Sequence, residues 1–111
     1  MQLQLPLILL TIATSVSGWT VSGFTQENCP GSAAQEITKS DSTKGCYKFT
    51  GSPDIKAIKA SYNQANLVVF GYPNDNCNSA TYSVQIRPNQ CFYAPGAHIA
   101  SFKSFKVAAA P

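Results

Sequence analysis

The feature that most constrains the fold of this chain is an internal repeat. Residues 19–29 align with residues 67–77, and the alignment matches a glycine, an aromatic residue, an acidic residue, an asparagine and a cysteine. Two shorter matches follow in the same order, 45–47 with 90–92 and 55–60 with 102–107. Because self-similarity of this kind indicates one structural unit used twice, we predict two units, 18–62 and 66–107, joined by the polar link 63–65.

Length and composition limit what these units can be. The chain has 111 residues, which is enough for a single domain and excludes a large multidomain enzyme. Aromatic residues make up 11% and charged residues only 12% of the chain. A disordered polybasic segment has few aromatics and a heavy charge load, so a folded and rather polar module is expected.

Residues 1–17 are predicted to be a secretory signal. The run 3–13 is uncharged and largely apolar, and it is shorter than the ~20 residues that a membrane-spanning helix needs. Ser15 and Ser17 provide the small residues that signal peptidase accepts. Cleavage is therefore expected before Gly18, which leaves one mature domain, 18–111. The alternatives are a buried strand or an uncleaved anchor.

Four cysteines follow the predicted signal: Cys29, Cys46, Cys77 and Cys91. In an oxidising extracellular compartment we expect them to form two disulfides. There is no Cys-x-x-Cys pair and His98 is the only histidine, so no zinc site is expected. Four cysteines allow three pairings. We predict Cys29–Cys46 and Cys77–Cys91, because a unit that is duplicated is expected to close on itself first.

Each unit is predicted to contain four β-strands. Polar and apolar residues alternate in 19–22 and again in 82–86, which is the period of a half-buried strand. The segment 32–37 also fits a capping box that opens a helix, but its counterpart alternates, and a strand is predicted. The third strands are expected at 46–49 and 91–93, and the fourth strands at 55–61 and 99–107.

The fourth strands have an unusual spacing of apolar residues. Ile55 and Ile58, like Phe102 and Phe105, are three positions apart. A flat strand cannot bury both members of such a pair, because successive side chains point to opposite faces, so we predict a bulge or bend. Two Greek-key units of four strands then give an all-β sandwich of eight strands.

A family resemblance follows from the motifs. Phe24, Cys29 and Gly31 form an aromatic-x4-Cys-x-Gly pattern, and the fourth strands read Ile-Lys-x-Ile-Lys and Phe-Lys-x-Phe-Lys. This combination resembles the duplicated Greek-key motif of the βγ-crystallin-like superfamily, although the second unit has Ser79 where the motif has glycine. The resemblance implies a disulfide-stapled βγ-crystallin-like sandwich. Small disulfide-bonded secreted proteins of this kind resemble microbial killer toxins, antifungal proteins and secreted protease inhibitors. The chain is also similar to short secreted proteins of filamentous fungi.

Calcium is the metal that the resemblance suggests, since many such domains bind it through an acidic or Asn pair followed two residues later by Ser or Thr and then Ser. Here Lys56 and Ala57 follow Asp54 where hydroxyl oxygens belong, and the second unit has Lys103 and Ser104. Calcium requires six to eight oxygen ligands, and a neighbouring cation repels it. We therefore expect no bound metal and no cofactor, and we interpret Asp54, Asp75 and Glu27 as solvated turn residues.

Residues that could carry catalysis are few. General acid–base or nucleophilic catalysis needs a positioned base with a nucleophile, or a pair of carboxylates. His98 has no sequence neighbour to orient it, the thiols are assigned to disulfides, and nothing selects two of the five carboxylates. A non-enzymatic protein is expected.

Lysines and tyrosines are the candidate binding residues. Lys56 with Lys59, and Lys103 with Lys106, should point outward opposite the apolar pairs and form two basic stripes. One interpretation is that they protect sheet edges from unwanted pairing; the other is that they attract an anionic partner. The aromatic residues that could stack against a sugar or a protein partner are Trp19, Tyr62, Tyr82 and Tyr93. Of these, Tyr62 and Tyr93, at strand ends, are the candidate contact residues, whereas Trp19 is predicted to be core.

Two functional hypotheses result. The first is a small secreted binding protein, antimicrobial, killer-toxin-like or a host-directed effector, that acts through a cationic surface. The alternative is a calcium-binding structural domain or a secreted protease inhibitor. We expect a monomer whose partner is a cell surface, a glycan or a protein. Stable membrane insertion is not expected, and a net charge of +3 without an arginine cluster argues against nucleic acid.

Overall fold

The chain forms eight strands in two sheets within the residues that the computed structural model describes, 18–50, 53–78, 83–94 and 100–111. The strands are β1 (Trp19–Phe24), β2 (Gln35–Lys39), β3 (Gly45–Lys48), β4 (Ala57–Ser61), β5 (Leu67–Tyr72), β6 (Val84–Ile86), β7 (Cys91–Tyr93) and β8 (Ser104–Ala109). The predicted all-β class is confirmed, and β2 is the strand expected in the ambiguous segment. The predicted signal 1–17, Tyr82, Ser79 and His98 lie outside the described residues.

The two antiparallel sheets do not coincide with the two repeats. Sheet A has the order β2-β1-β4-β7, and sheet B has the order β3-β8-β5-β6. Sheet A therefore contains the first, second and fourth strands of the first unit and the third strand of the second unit. Sheet B contains the first, second and fourth strands of the second unit and the third strand of the first. The exchanged strands pair with the fourth strands, β7 with β4 and β3 with β8. Corresponding strands of the two units occupy equivalent positions in the two sheets.

The predicted cysteine pairing is wrong. The disulfides join Cys29 to Cys91 and Cys46 to Cys77, so both link one unit to the other. The exchange of third strands is the reason, because β3 carries Cys46 and β7 carries Cys91 into the opposite sheet, away from the turn cysteine of the same unit. The expectation that all four cysteines are disulfide-bonded is confirmed.

The hydrophobic core lies between the sheets. It consists of the inward-facing residues of the strands together with the residues that flank the fourth strands, among them Val21, Ile58, Val69, Phe105 and Val107. Trp19 is only 1% exposed, as predicted, and its indole Nε1 donates a hydrogen bond to the carbonyl oxygen of Thr43 at 2.8 Å. The indole ring is therefore buried without leaving its polar atom unpaired.

The unusual spacing in the fourth strands corresponds to an interruption of the pairing. Ile55 and Phe102 form an isolated antiparallel bridge with each other, whereas β4 begins at Ala57 and β8 at Ser104. Ile55, Ile58, Phe102 and Phe105 are all buried. The predicted bend is thus confirmed as a break in the strand pairing, at Lys56 in the first unit and at Lys103 in the second. The break lets both members of each apolar pair reach the core.

The turn after β5 covers one end of the outer face of sheet B. The Ser104 hydroxyl donates a hydrogen bond to the carbonyl oxygen of Asn74 at 2.7 Å and accepts one from the backbone N–H of Cys77 at 3.1 Å. Ser104 is consequently fully buried although it points away from the core. Cys77 has a φ of 53°, and Cys29 at the equivalent turn of the first unit has a φ of 52°, so the two turns share one unusual backbone conformation.

Gly71, the glycine of the second unit that the repeat alignment matches, has no room for a side chain, because Phe102 and Ile58 lie directly against its backbone. A Cβ atom at this position would be 2.9 Å from two atoms of the buried Phe102 ring and 3.1 Å from Ile58 Cδ1. We expect Gly71→Ala to lower the free energy of unfolding by about 1–3 kcal/mol, since neither neighbour has room to move. Urea unfolding measures the change. Ser61→Ala, at an exposed end of β4, is the control, and an equal loss in both variants would contradict the steric explanation.

Candidate functional surface

The four candidate lysines are all exposed, but they lie on opposite sides of the molecule. Lys59 alternates with buried residues of β4 and Lys106 with buried residues of β8, so each points away from the core, on the outer face of its own sheet. Lys56 and Lys103 lie at the two interruptions, where their backbone N–H groups donate to Phe24 and Tyr72. All four side chains are exposed, and one pair belongs to each sheet, so the four lysines do not form one common patch.

The outer face of sheet A is rich in hydroxyl groups. Lys59 lies between Cys91 of β7 and Ser22 of β1, and Glu36 of β2 completes this cross-strand row. The Ser22 hydroxyl donates to the Glu36 carboxylate at 2.8 Å. In this sheet a carboxylate therefore shares the face with the lysine.

The equivalent row of sheet B has a different chemical character. Lys106 lies between Cys46 of β3 and Phe70 of β5, and Gln85 of β6 completes the row. Phe70 therefore occupies the position of Ser22, and Gln85 occupies that of Glu36. An aromatic ring and a neutral amide replace the hydroxyl and the carboxylate.

A shallow groove of about 230 Å³ extends this row toward one end of the sheet, and Val68, Gln85 and Arg87 are among the residues that line it. Val68 is half-buried and points outward, because it alternates with the buried Leu67 and Val69. We call the set Val68, Phe70, Gln85, Arg87 and Lys106 the sheet B patch. It combines two cations, two apolar side chains and one amide.

The candidate tyrosines have different environments. Among the residues that the structure describes, Tyr93 is the large hydrophobic residue whose side chain is exposed, with 56% of its surface accessible to solvent. Tyr62 is half-buried against the core, and its hydroxyl donates to the carbonyl oxygen of Ile86. Burial raises the pKa of the Tyr62 phenol, an effect that a backbone hydrogen bond from Val69 and the charge of Arg87 oppose only in part. Tyr93 is therefore free to contact a partner, whereas the Tyr62 hydroxyl already has a structural role.

Two of the turn carboxylates come together in a cleft at the other end of sheet B. Asp54 of the first unit and Asp75 of the second both line a space of about 250 Å³, together with Lys48 and Lys103. Within the described residues no three His, Cys, Asp or Glu side chains group closely enough to hold a metal. The two lysines disfavour a divalent cation in this cleft, because like charges repel.

The sequence contained a signal for the sheet B patch that the lysine pattern alone does not reveal. In the repeat alignment Val68 and Phe70 stand over Thr20 and Ser22, so the outward positions of β5 are apolar where those of β1 are polar. A contiguous group of apolar residues at solvent-facing positions is typical of an interaction surface. We predicted the lysine and not its aromatic neighbour.

No protein-family model, no curated protein sequence and no solved structure matches this chain. Among the residues that the structure covers, no helix is long and apolar enough to cross a membrane.

Proposed function

We propose that this protein is a small secreted, non-enzymatic binding protein that engages an anionic partner through its cationic surface. A role as an antimicrobial, killer-toxin-like protein or as a host-directed effector fits this chemistry. The two disulfides of a small all-β protein are consistent with an extracellular location.

The observation that carries the proposal is the exposure of the basic residues. All eight Lys and Arg residues of the chain belong to its described part, and every one of them is exposed. With five Asp and Glu residues the net charge is +3. A surface of this kind attracts anionic partners over a distance that ionic strength controls.

We also propose the finer assignment of the fold as a pair of βγ-crystallin-like Greek-key units. The supporting observation is that β1 lies between β2 and β4, and β5 between β6 and β8. The return of a fourth strand to the side of the first is the Greek-key connection.

Replacing Lys56, Lys59, Lys103 and Lys106 together by glutamine tests the proposed function. We expect the thermal melting of the variant to stay close to that of the wild type, because exposed charges each contribute less than ~1 kcal/mol to folding. Binding to isolated cell walls should fall about tenfold or more, since the lost attraction acts in the encounter. Sedimentation of the protein with the walls, at low and at high salt, measures the binding, and growth inhibition of the same cells is scored in parallel.

Binding by the variant that equals wild-type binding, together with indifference of both proteins to salt, would contradict the proposal. In that case the lysines serve only as solvated surface residues, because β4 and β8 are central strands and have no free edge to protect.

The second candidate, a calcium-stabilised domain, is favoured by one observation, the meeting of Asp54 and Asp75 in a single cleft. Thermal melting of the protein in the presence of calcium, and then after addition of a chelator, distinguishes this candidate from the first one. A ligand that binds only the native state must raise the melting temperature, so a rise that the chelator reverses would support the calcium hypothesis.

A further inference from the structure

We propose that the sheet B patch binds an acidic polysaccharide, with Lys106 and Arg87 contacting carboxylate groups and Phe70 lying against the apolar face of a sugar ring. This inference rests on the proposed function and names the partner class and the face that it uses.

The charge of the patch is the first argument. In the sheet A row, Lys59 shares its face with the carboxylate of Glu36, two strands away, which is roughly 10 Å and comparable to the screening length at physiological salt. In the sheet B row the equivalent position holds the neutral Gln85. The turn carboxylate of the second unit, Asp75, lies in the cleft with Lys48 and Lys103 at the opposite end of the sheet. The positive charge of the patch is therefore available to an external anion.

The apolar side chains are the second argument. Phe70 and Val68 point outward from the centre of sheet B, where the first unit has Ser22 and Thr20. Binding sites for small organic groups combine such apolar surface with a few placed polar groups. Gln85 supplies an amide that both donates to and accepts from hydroxyl groups. A sugar ring offers a C–H face to the phenyl ring and hydroxyls to the amide at the same time.

The size of the surface argues against an acidic protein as the partner. β6 has three residues, so the region where all four strands run side by side is about 10 Å long and about 19 Å wide, and with Val68 and Arg87 one residue beyond it the patch covers roughly 250 Å². A standard protein–protein interface buries about 800 Å² on each partner. A single polysaccharide chain needs only a strip of this width.

The depth of the apolar side chains argues against a membrane. Interfacial anchoring buries apolar side chains about 5–10 Å into the boundary between headgroups and acyl chains. Phe70 and Val68 are half-buried, and the exposed side chains of Lys106, Gln85 and Arg87 surround them. They are positioned to contact a ligand that lies on the sheet.

The test uses soluble oligogalacturonate, a chain of carboxylated sugars, and its methyl-esterified form as the neutral counterpart. The repeat provides matched variants. Phe70→Ser and Gln85→Glu copy the residues of the first unit, Lys106→Gln removes a patch cation, and Lys59→Gln removes the equivalent cation of sheet A. Binding is titrated by calorimetry at low salt after thermal melting has verified that each variant is folded.

We expect Phe70→Ser and Gln85→Glu each to weaken binding about tenfold, as loss of a stacking partner or gain of a repelling charge does. Lys106→Gln should also weaken binding, whereas Lys59→Gln should change it by less than about twofold. The esterified form should bind weakly to every protein. Gln85→Glu alters an exposed residue, so it tests the inference even where a change at Phe70 prevents folding.

Equal losses for Lys59→Gln and Lys106→Gln, or unchanged binding by Gln85→Glu, would overturn the inference. So would tighter binding to phosphatidylserine vesicles or to polyglutamate than to oligogalacturonate, because a membrane or an acidic protein would then be the partner. If the patch variants behave as wild type while the fourfold lysine variant still loses its attachment to cell walls, this inference fails and the proposed function stands.

Discussion

Replacing both disulfides by alanine pairs is expected to unfold the protein at room temperature. Loop-closure entropy predicts a stabilisation of about 3.7 kcal/mol for Cys46–Cys77, which are 31 positions apart, and of about 4.3 kcal/mol for Cys29–Cys91, which are 62 apart. Small domains have about 5–15 kcal/mol of total stability. Cys46 and Cys91 are exposed strand residues, so the expected loss comes from the missing cross-link more than from packing.

Denaturant unfolding followed by circular dichroism measures this effect in four proteins: the wild type, the two single-disulfide variants and the variant that lacks both. Cys29→Ala with Cys91→Ala should cost more than Cys46→Ala with Cys77→Ala. Reductant should destabilise the wild type and leave the cysteine-free variant unchanged. A cysteine-free protein that unfolds at the wild-type denaturant concentration would contradict the prediction.

Phe105→Ala is expected to have the next largest effect. Phe105 is completely buried, and its ring contacts three others, with centroid distances of 5.8 Å to Trp19 and 5.4 Å to both Tyr47 and Phe49. Truncation of a buried phenylalanine costs about 3–5 kcal/mol, because transfer energy is lost and a cavity remains. The three ring contacts place the expected value in the upper half of that range.

Urea unfolding provides the measurement, and Phe70→Ala provides the matched control. Phe70 is also a strand phenylalanine, but it is half-exposed on the outer face, so its truncation removes less buried area and should cost less. A similar loss for both phenylalanines would mean that the aromatic cluster around Phe105 is not the centre of the core.

The strands could be predicted from the sequence because their signal is local. Val21 and Val69 alternate with polar or outward-facing neighbours, and the same positions recur in both units, so one unit resolved the ambiguity of the other. The break before Ala57 and Ser104 could also be predicted, since the spacing of buried residues is incompatible with one flat strand.

The cysteine pairing could not be predicted because the sheet to which a third strand belongs is not a local property. β3 and β7 have four and three residues, and a segment so short has the same pattern in either sheet. Because each unit was assumed to close on itself, Cys46 and Cys91 were assigned to the wrong disulfide partners. For the sheet B patch the information was present in the repeat, at Phe70 over Ser22, but it required a comparison of outward-facing positions.

The exchange of third strands also bears on how such a chain can originate. One unit by itself lacks the strand that pairs with its fourth strand, and the cysteine of its first turn has no partner within the unit. Two identical copies related by a twofold axis would satisfy both needs, since a self-complementary contact repeats itself on each side of the axis. The link 63–65 therefore joins what is, in its geometry, a symmetric dimer, and the covalent bonds between the units are the ones that two separate copies would form with each other.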